Sequence, residues 1–323
     1  MLSGANTAAA DGEEIIYDCP MLIRAYRGGR VERFFPDNYI PASLDLITGV
    51  NSKDCVINPT TGLSARLYLP ASVGADEKLP ILVYYHGGGF CVMSAFCSLY
   101  HDFLNSLAAK AKVIALSVEY RLAPENPIPA AYDDSWEAID FVTAGAEPWL
   151  SAFGNLEKIF LAGDSAGGNI AHNMGMKLGR QGRKAEGVAL LHPFFWGDER
   201  IGAEGEEREA AMFTAKDADG MWRLAGGGKL GFDDPRLNPF AEDAPSLREL
   251  GCRRALVCVA GLDFLRERGR AYYEKLKEDG GWEGKAELAE VDGEDHVFFL
   301  FKPRCEKSTA FVERLVNFFR HEE

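Results

Sequence analysis

The apolar positions of this chain fall into two alternating patterns. Short unbroken runs rich in Val, Ile and Leu occur at Ile81 to Tyr85, Val113 to Val118, Lys158 to Ala162, Gly187 to Leu191 and Ala255 to Val259. Runs of this length without polar alternation predict strands buried on both faces, as in parallel sheets. Between them, Ala131 to Thr143, Gly168 to Leu178, Gly269 to Lys277 and Thr309 to Phe319 carry apolar residues at helical spacing. Ala286 to Val291 alternates instead, which predicts a strand nearer the sheet edge. Asp54 to Ile57 and Ala65 to Leu69 predict a leading antiparallel hairpin. Strand and helix in alternation predict an α/β fold, with a mostly parallel central sheet flanked by helices.

Two stretches break this rhythm. Residues 1–40 open with an Ala- and Gly-rich segment that reads as a flexible leader, and Glu199 to Gly228 is charged and glycine-rich with Met212, Phe213, Met221, Trp222 and Leu224 inside. Both are expected to sit above the sheet as a helical cap, the insertion spanning about residues 199–228. The whole chain, 1–323, is read as one domain, because large α/β sheets often use this much chain as a single unit.

Composition narrows the partners. The formal net charge of −14 repels nucleic acid and anionic membrane surfaces. No apolar run is long enough to span a bilayer, and Met1 to Tyr17 lacks the basic start and apolar block of an export signal. The expected location is therefore cytoplasmic, with the nucleus also open. The 7 cysteines form no Cys-x-x-Cys pair and no dense Cys/His cluster, so reduced thiols and no metal site are expected. Oligomeric state is not legible.

The chemistry concentrates where strands end. Gly163-Asp164-Ser165-Ala166-Gly167 lies between a predicted strand and a predicted helix. That is the setting of a nucleophile elbow, in which a strained turn lifts the serine hydroxyl into a cleft beside a helix N-terminus. His86-Gly87-Gly88-Gly89-Phe90 follows the strand Ile81 to Tyr85. Its glycines leave backbone N–H groups able to face the cleft, so Gly88 and Gly89, with Ala166, are the candidate oxyanion donors. Of the histidines after Ser165, His172 lies in a predicted helix, His192 closes a strand and His321 is close to the terminus. His296, in the loop after the last strand, is the candidate base. Asp263, in the loop after the preceding strand, is the candidate orienting acid, giving the chain order Ser, Asp, His of this fold. His86, Arg121 and Glu125 are expected to fix loops, and Asp133, Asp134 and Asp164 to be structural partners. Phe90, Cys91, Phe195, Trp196, Met212, Phe213 and Val297 are candidate pocket walls.

These pieces resemble the hormone-sensitive-lipase-like group of α/β-hydrolases, and more closely the plant carboxylesterases within it. The resemblance rests on His86-Gly-Gly-Gly-Phe90, Tyr120-Arg-Leu-Ala-Pro-Glu125, Pro129-Ala-Ala-Tyr-Asp-Asp134, Gly163-Asp-Ser-Ala-Gly-Gly-Asn169, Gly261-Leu-Asp263 and Asp295-His-Val-Phe298, with Val50-Asn-Ser-Lys-Asp54 similar to the plant members. It runs from about Ile40 to the C-terminus. It implies a serine esterase acting on short-chain acyl esters of small, plant-metabolite or hormone-like molecules, without a cofactor. The group also contains the gibberellin receptors, which replace the triad histidine that this chain keeps at His296, and hydroxyisoflavanone dehydratases, some of which carry Ser at the nucleophile position. A non-hydrolytic receptor and a dehydratase are therefore the alternative readings.

Overall fold

Strands β1 (Ile15–Cys19), β2 (Ile23–Tyr26) and β3 (Val31–Arg33) precede the main sheet and pair antiparallel with one another. The computed structural model describes residues 13–35, 38–71, 73–74, 77–206, 213–278 and 281–320. The main strands are β4 (Val50–Asn58), β5 (Leu63–Pro70), β6 (Leu79–Tyr85), β7 (Ile114–Glu119), β8 (Gly154–Asp164), β9 (Gly187–Leu191), β10 (Arg254–Ala260) and β11 (Lys285–Val291). They form one sheet of 8 strands in the order β11-β10-β9-β8-β6-β7-β5-β4. Pairing from β11 through to β7 is parallel; β5 runs antiparallel to both β7 and β4.

Burial explains the sequence pattern. Every residue of β9 and β10 is buried, and Ile81 to Tyr85 of β6 have no exposed surface. Burying a Val, Leu or Ile side chain stabilises by roughly 1.5–3 kcal/mol, so an uninterrupted apolar run signals a strand covered on both faces. The alternating β11 occupies the sheet's edge, where its side chains are only half-buried.

The flanking helices are α1 (Ser98–Ala111), α2 (Ala130–Ala144), α3 (Pro148–Phe153), α4 (Ala166–Arg180), α5 (Ala215–Ala225), α6 (Arg266–Glu278), α7 (Phe298–Phe301) and α8 (Glu306–Arg320). Helix α1 is an addition to the sequence reading. It buries Tyr100, Phe103, Leu104, Leu107, Ala108 and Ala111, a helical spacing interrupted by the equally buried His101 and Asn105. Among the described residues, no helix is long and apolar enough to cross a membrane.

The cap needs a correction. Its N-terminal part is expected to be helical, yet residues 15–33 are a three-stranded meander; the flexible leader expected at the start of the chain lies mostly in residues 1–12, outside the described residues. The reason is a period of two: in β1, Ile15, Tyr17 and Cys19 turn inward while Ile16 and Asp18 stay exposed. The inward row packs on α5, the helix of the predicted insertion. Tyr17 Oη donates to the carbonyl of Asp217 at 3.4 Å and Cys19 Sγ to its carboxylate at 3.4 Å. A side chain at Gly220 would run into the Tyr17 ring, so close strand-to-helix contact depends on that glycine. Thr214 starts α5 with a reciprocal cap, its hydroxyl accepting from the Asp217 N–H while its own N–H donates to the Asp217 carboxylate.

One buried ion pair ties the insertion to the body. Arg268 of α6 donates Nε to Glu204 Oε1 at 2.6 Å and Nη2 to Oε2 at 3.0 Å, with both side chains almost fully buried. Removing one member of such a pair leaves an uncompensated buried charge. Glu204→Ala is therefore expected to destabilise the protein by about 3–5 kcal/mol, read as a lowered urea midpoint. A midpoint equal to wild type would show that the pair contributes nothing.

Candidate active site

Strand β8 ends at Asp164 and α4 begins at Ala166, leaving Ser165 alone in the turn with φ +53° and ψ −118°. That conformation is strained for a residue with a side chain, and it is held from both sides. The Ser165 N–H donates to Leu191 O at 2.9 Å, and its carbonyl accepts from Phe194 N–H at 2.8 Å. The flanking glycines are a steric requirement. A Cβ at Gly163 would collide with the Gly167 backbone and Tyr85 O, and one at Gly167 with the Tyr85 and His86 carbonyls. The elbow can thus press against the end of β6.

Asp263 lies in the turn after β10, buried, with Oδ1 accepting the Leu265 N–H at 2.9 Å. Its Oδ2 is 2.7 Å from Nδ1 of His296. Burial by itself raises a carboxyl pKa, but the attraction of His296, their hydrogen bond, His192 and the Leu265 N–H together hold Asp263 below the usual carboxylate value. For His296 burial pulls the imidazole down; the charge of Asp263, the hydrogen bond to it, and Asp164 and Asp295 outweigh that and leave it above its usual value. Such a pair favours transfer of a proton onto the imidazole.

The glycine loop after β6 is fixed by hydrogen bonds to its first two residues. The Gly87 N–H donates to Tyr100 Oη at 2.7 Å, and Tyr100 donates to Asp164 Oδ2 at 2.9 Å. Tyr84 donates to Asp164 Oδ1 at 2.8 Å. Burial pushes the Asp164 carboxyl up to about 6, against the two tyrosine hydrogen bonds and His296. His86 stacks on Tyr120 at 4.2 Å and its Nδ1 bonds Gly87 O at 2.8 Å, while Tyr120 Oη donates to His86 O at 2.8 Å. Gly88 and Gly89 then turn through φ +100° and +58°, where added side chains would strike Val92 O and Met221. The Ala166 N–H belongs to the first turn of α4, which has no intrahelical acceptor.

A family model for the alpha/beta hydrolase fold matches residues 82–300. The chain belongs to this family. It is 43% identical to "Probable carboxylesterase 2" of Arabidopsis thaliana, over 94% of this chain and 96% of that one. It is 42% identical to "2-hydroxyisoflavanone dehydratase" of Glycyrrhiza echinata, over 97% of this chain and 99% of that one. Among solved structures, an esterase of Pyrobaculum calidifontis superposes with a TM-score of 0.71 at 28% identity, covering 84% of this chain and 85% of that one.

In this α/β-hydrolase, Ser165, His296, Gly88 and Gly89 open onto one cavity of about 440 Å³, with Asp263 buried behind His296 and Ala166 buried at the helix start. Of the predicted walls, Phe213 and Val297 line that cavity. Phe90, Cys91, Phe195 and Trp196 do not; all four are fully buried in the core. Phe90, at φ +66°, packs against Tyr132, Phe194 and Trp222. Cys91 turns to the Met221 carbonyl, Phe195 stacks on Tyr272 at 5.0 Å, and Trp196 donates to Asp219 at 2.7 Å. Met212 lies outside the described residues. Walls that the sequence reading missed come from the cap (Met21, Leu22, Phe34, Phe35, Met221) and from Val92, Met93, Leu300 and Phe301.

The predicted loop-fixing residues find partners. Arg121 grips Asp134 at 2.7 Å, and Glu125 takes Arg33 of β3 at 2.7 Å. Arg33 also donates to the carbonyls of Cys91 and Ala123, tying the cap to the glycine loop. His192 carries more than the strand-ending role read from the sequence. Its Nδ1 accepts the N–H of Val297 at 2.9 Å and lies 3.6 Å from Asp263 Oδ2. Val297, next to His296, is β-branched at φ +45°, a conformation that needs such support. Burial drops the His192 pKa to about 3, which keeps the ring neutral, and the Val297 N–H makes Nδ1 its acceptor nitrogen. Ligand atoms of His192, Asp263 and His296 lie within 4.8 Å of one another, a spacing that could suit a metal. Both Nδ1 atoms are, however, already in hydrogen bonds, that of His296 to Asp263 and that of His192 to the Val297 N–H.

Proposed function

We propose that this chain is a carboxylesterase working through Ser165, His296 and Asp263 on short-chain acyl esters of small apolar molecules. The carrying observation is the buried 2.7 Å contact of His296 with Asp263, beside a strained serine facing the same cavity. In this reading Ser165 attacks the ester carbonyl as His296 takes its proton, and Asp263 holds the imidazole tautomer and stabilises its charged form. The oxyanion is met by the amides of Gly88, Gly89 and Ala166; Gly87, held by Tyr100, is not among them. His296 then protonates the leaving alcohol, and water attacks the acyl-enzyme. The lining of methionine and phenylalanine side chains supports apolar substrates, since a buried hydroxyl or carboxylate without a partner costs about 1–3 kcal/mol or more.

The test is a panel of acyl esters of graded length run beside labelling with an aryl phosphonate and peptide mapping. Turnover that stops as the peptide bearing Ser165 is modified supports the reading. Loss of water from a hydroxylated flavonoid-like compound, with no ester cleaved, would replace it by the dehydratase reading.

His192 gives a subsidiary prediction. His192→Leu removes the acceptor for Val297 and is expected to lower kcat on the order of 10²-fold through misplacement of His296. His192→Asn, which restores an acceptor, is expected to recover most of it, with KM unchanged in both. Equal loss in both variants would point to packing alone.

A further inference from the structure

The inference rests on the ester-hydrolase reading and concerns the alcohol half of the substrate. The imidazole that takes the serine proton must hand it to the leaving oxygen. Whatever is attached to that oxygen therefore emerges beside His296. The surface there is aromatic. Phe213 lies nearly parallel to the His296 ring, with an interplanar angle of 18° and centroids 6.3 Å apart. Phe264 backs both, 5.7 Å from Phe213 and 6.5 Å from His296, and is itself held edge-on by Trp196 at 5.4 Å. Farther along the same cavity Phe35 of the cap meets Phe301 edge-on at 6.0 Å.

The wall around the glycine loop differs in kind. It is built from Met93 and Met221, whose unbranched thioethers adapt to shape. The polar groups Tyr100 and Asp164 are bonded to each other. A flat ring thus has a defined seat on the base side of the cavity, whereas the loop side offers a compliant one. Aromatic pairs contribute about 0.5–1.5 kcal/mol beyond area burial, which is enough to rank substrates of equal size.

We propose that the His296 side of the cavity is a subsite for a flat aromatic alcohol, so that the preferred esters are those of aryl-bearing alcohols seated against Phe213. In the step concerned, the bond from Ser165 Oγ to the acyl carbon forms to give the oxyanion, and the bond from that carbon to the aromatic alcohol's oxygen then breaks. The serine proton passes through His296 to that oxygen, and the alcohol leaves neutral.

The test compares 2-naphthylmethyl acetate with its fully saturated ring analogue, which shares the acyl group and the CH2–O linkage. Wild type is expected to favour the aromatic ester in kcat/KM. Phe213→Leu is expected to cut that preference by about 2–10-fold, the range corresponding to one aromatic pair. Phe213→Tyr, which keeps a ring, is expected to retain it. Calorimetric titration of the two free alcohols into each protein reads the same selectivity without turnover. Equal kcat/KM for the two esters in wild type, or a ratio untouched by Phe213→Leu, overturns the subsite. If neither ester is turned over, the hydrolase reading fails, and the alcohol titrations alone decide: selective binding weakened by Phe213→Leu sustains the subsite, and equal binding sinks it.

Discussion

Replacing Ser165 by Ala is expected to lower ester turnover on the order of 10⁶-fold, the largest effect of any single change in this protein. The hydroxyl is the only part of the residue that the proposed chemistry uses. The backbone of the turn is held by Leu191 O and the Phe194 N–H, neither of which touches the side chain. Alanine also accepts φ +53° no worse than serine, because both carry a single unbranched Cβ substituent or less. Fold and ligand affinity should therefore persist while the acyl-enzyme cannot form. The measurement is the burst and steady release of p-nitrophenol from a short acyl ester, with a thermal melt of the same preparation. Residual turnover within tenfold of wild type, from a folded variant, would remove Ser165 from the mechanism.

Asp263→Asn should cost on the order of 10⁴ in kcat while leaving KM near its original value. Asp263 does not line the cavity, so substrate contacts are untouched. What changes is the partner of His296 Nδ1. An amide can present its N–H2 there and hold the imidazole in the wrong tautomer, and it cannot stabilise the imidazolium. The pH profile carries an independent sign. A general base works only when neutral, so kcat/KM rises as pH climbs through the pKa of His296. In wild type that pKa is raised, with Asp263 as the leading cause opposing burial, which places the acid limb above the ordinary imidazole value. Without the carboxylate, burial dominates and the limb should move to lower pH. An acid limb that stays in place would show that it belongs to some other group.

Much of this could be read along the chain because the relevant physics is local. A strand buried on both faces must be apolar at every position, so β6, β9 and β10 stand out without any knowledge of their neighbours. The edge strand β11 declares itself by alternation. The elbow is legible because Gly163 and Gly167 are demanded by backbone atoms only a few residues or one strand away. The N-terminal meander was harder. Its first strand packs on α5 and its third reaches the glycine loop through Arg33, and the contact of Tyr17 with Asp217 spans 200 residues. A run such as Ile15 to Cys19 beside an Ala- and Gly-rich segment gives little signal by itself. The cavity walls were harder still. Phe90 and Cys91 sit beside the glycine loop in sequence, yet the positive φ of Phe90 turns its ring into the core.

The α/β alternation, the elbow, the glycine loop and the placing of Ser165, Asp263 and His296 after the strands β8, β10 and β11 are legible along the chain, since each depends on short-range sterics and burial. Only contacts across distant segments place His192 behind the residue after His296, tie the glycine loop to Asp164 through Tyr100, and bring the turn after β1, the segment after β3, Phe213 and Met221 of α5 to the cavity wall. Those choices depend on which side chains meet across distant segments, and no period along the chain encodes a meeting of that kind.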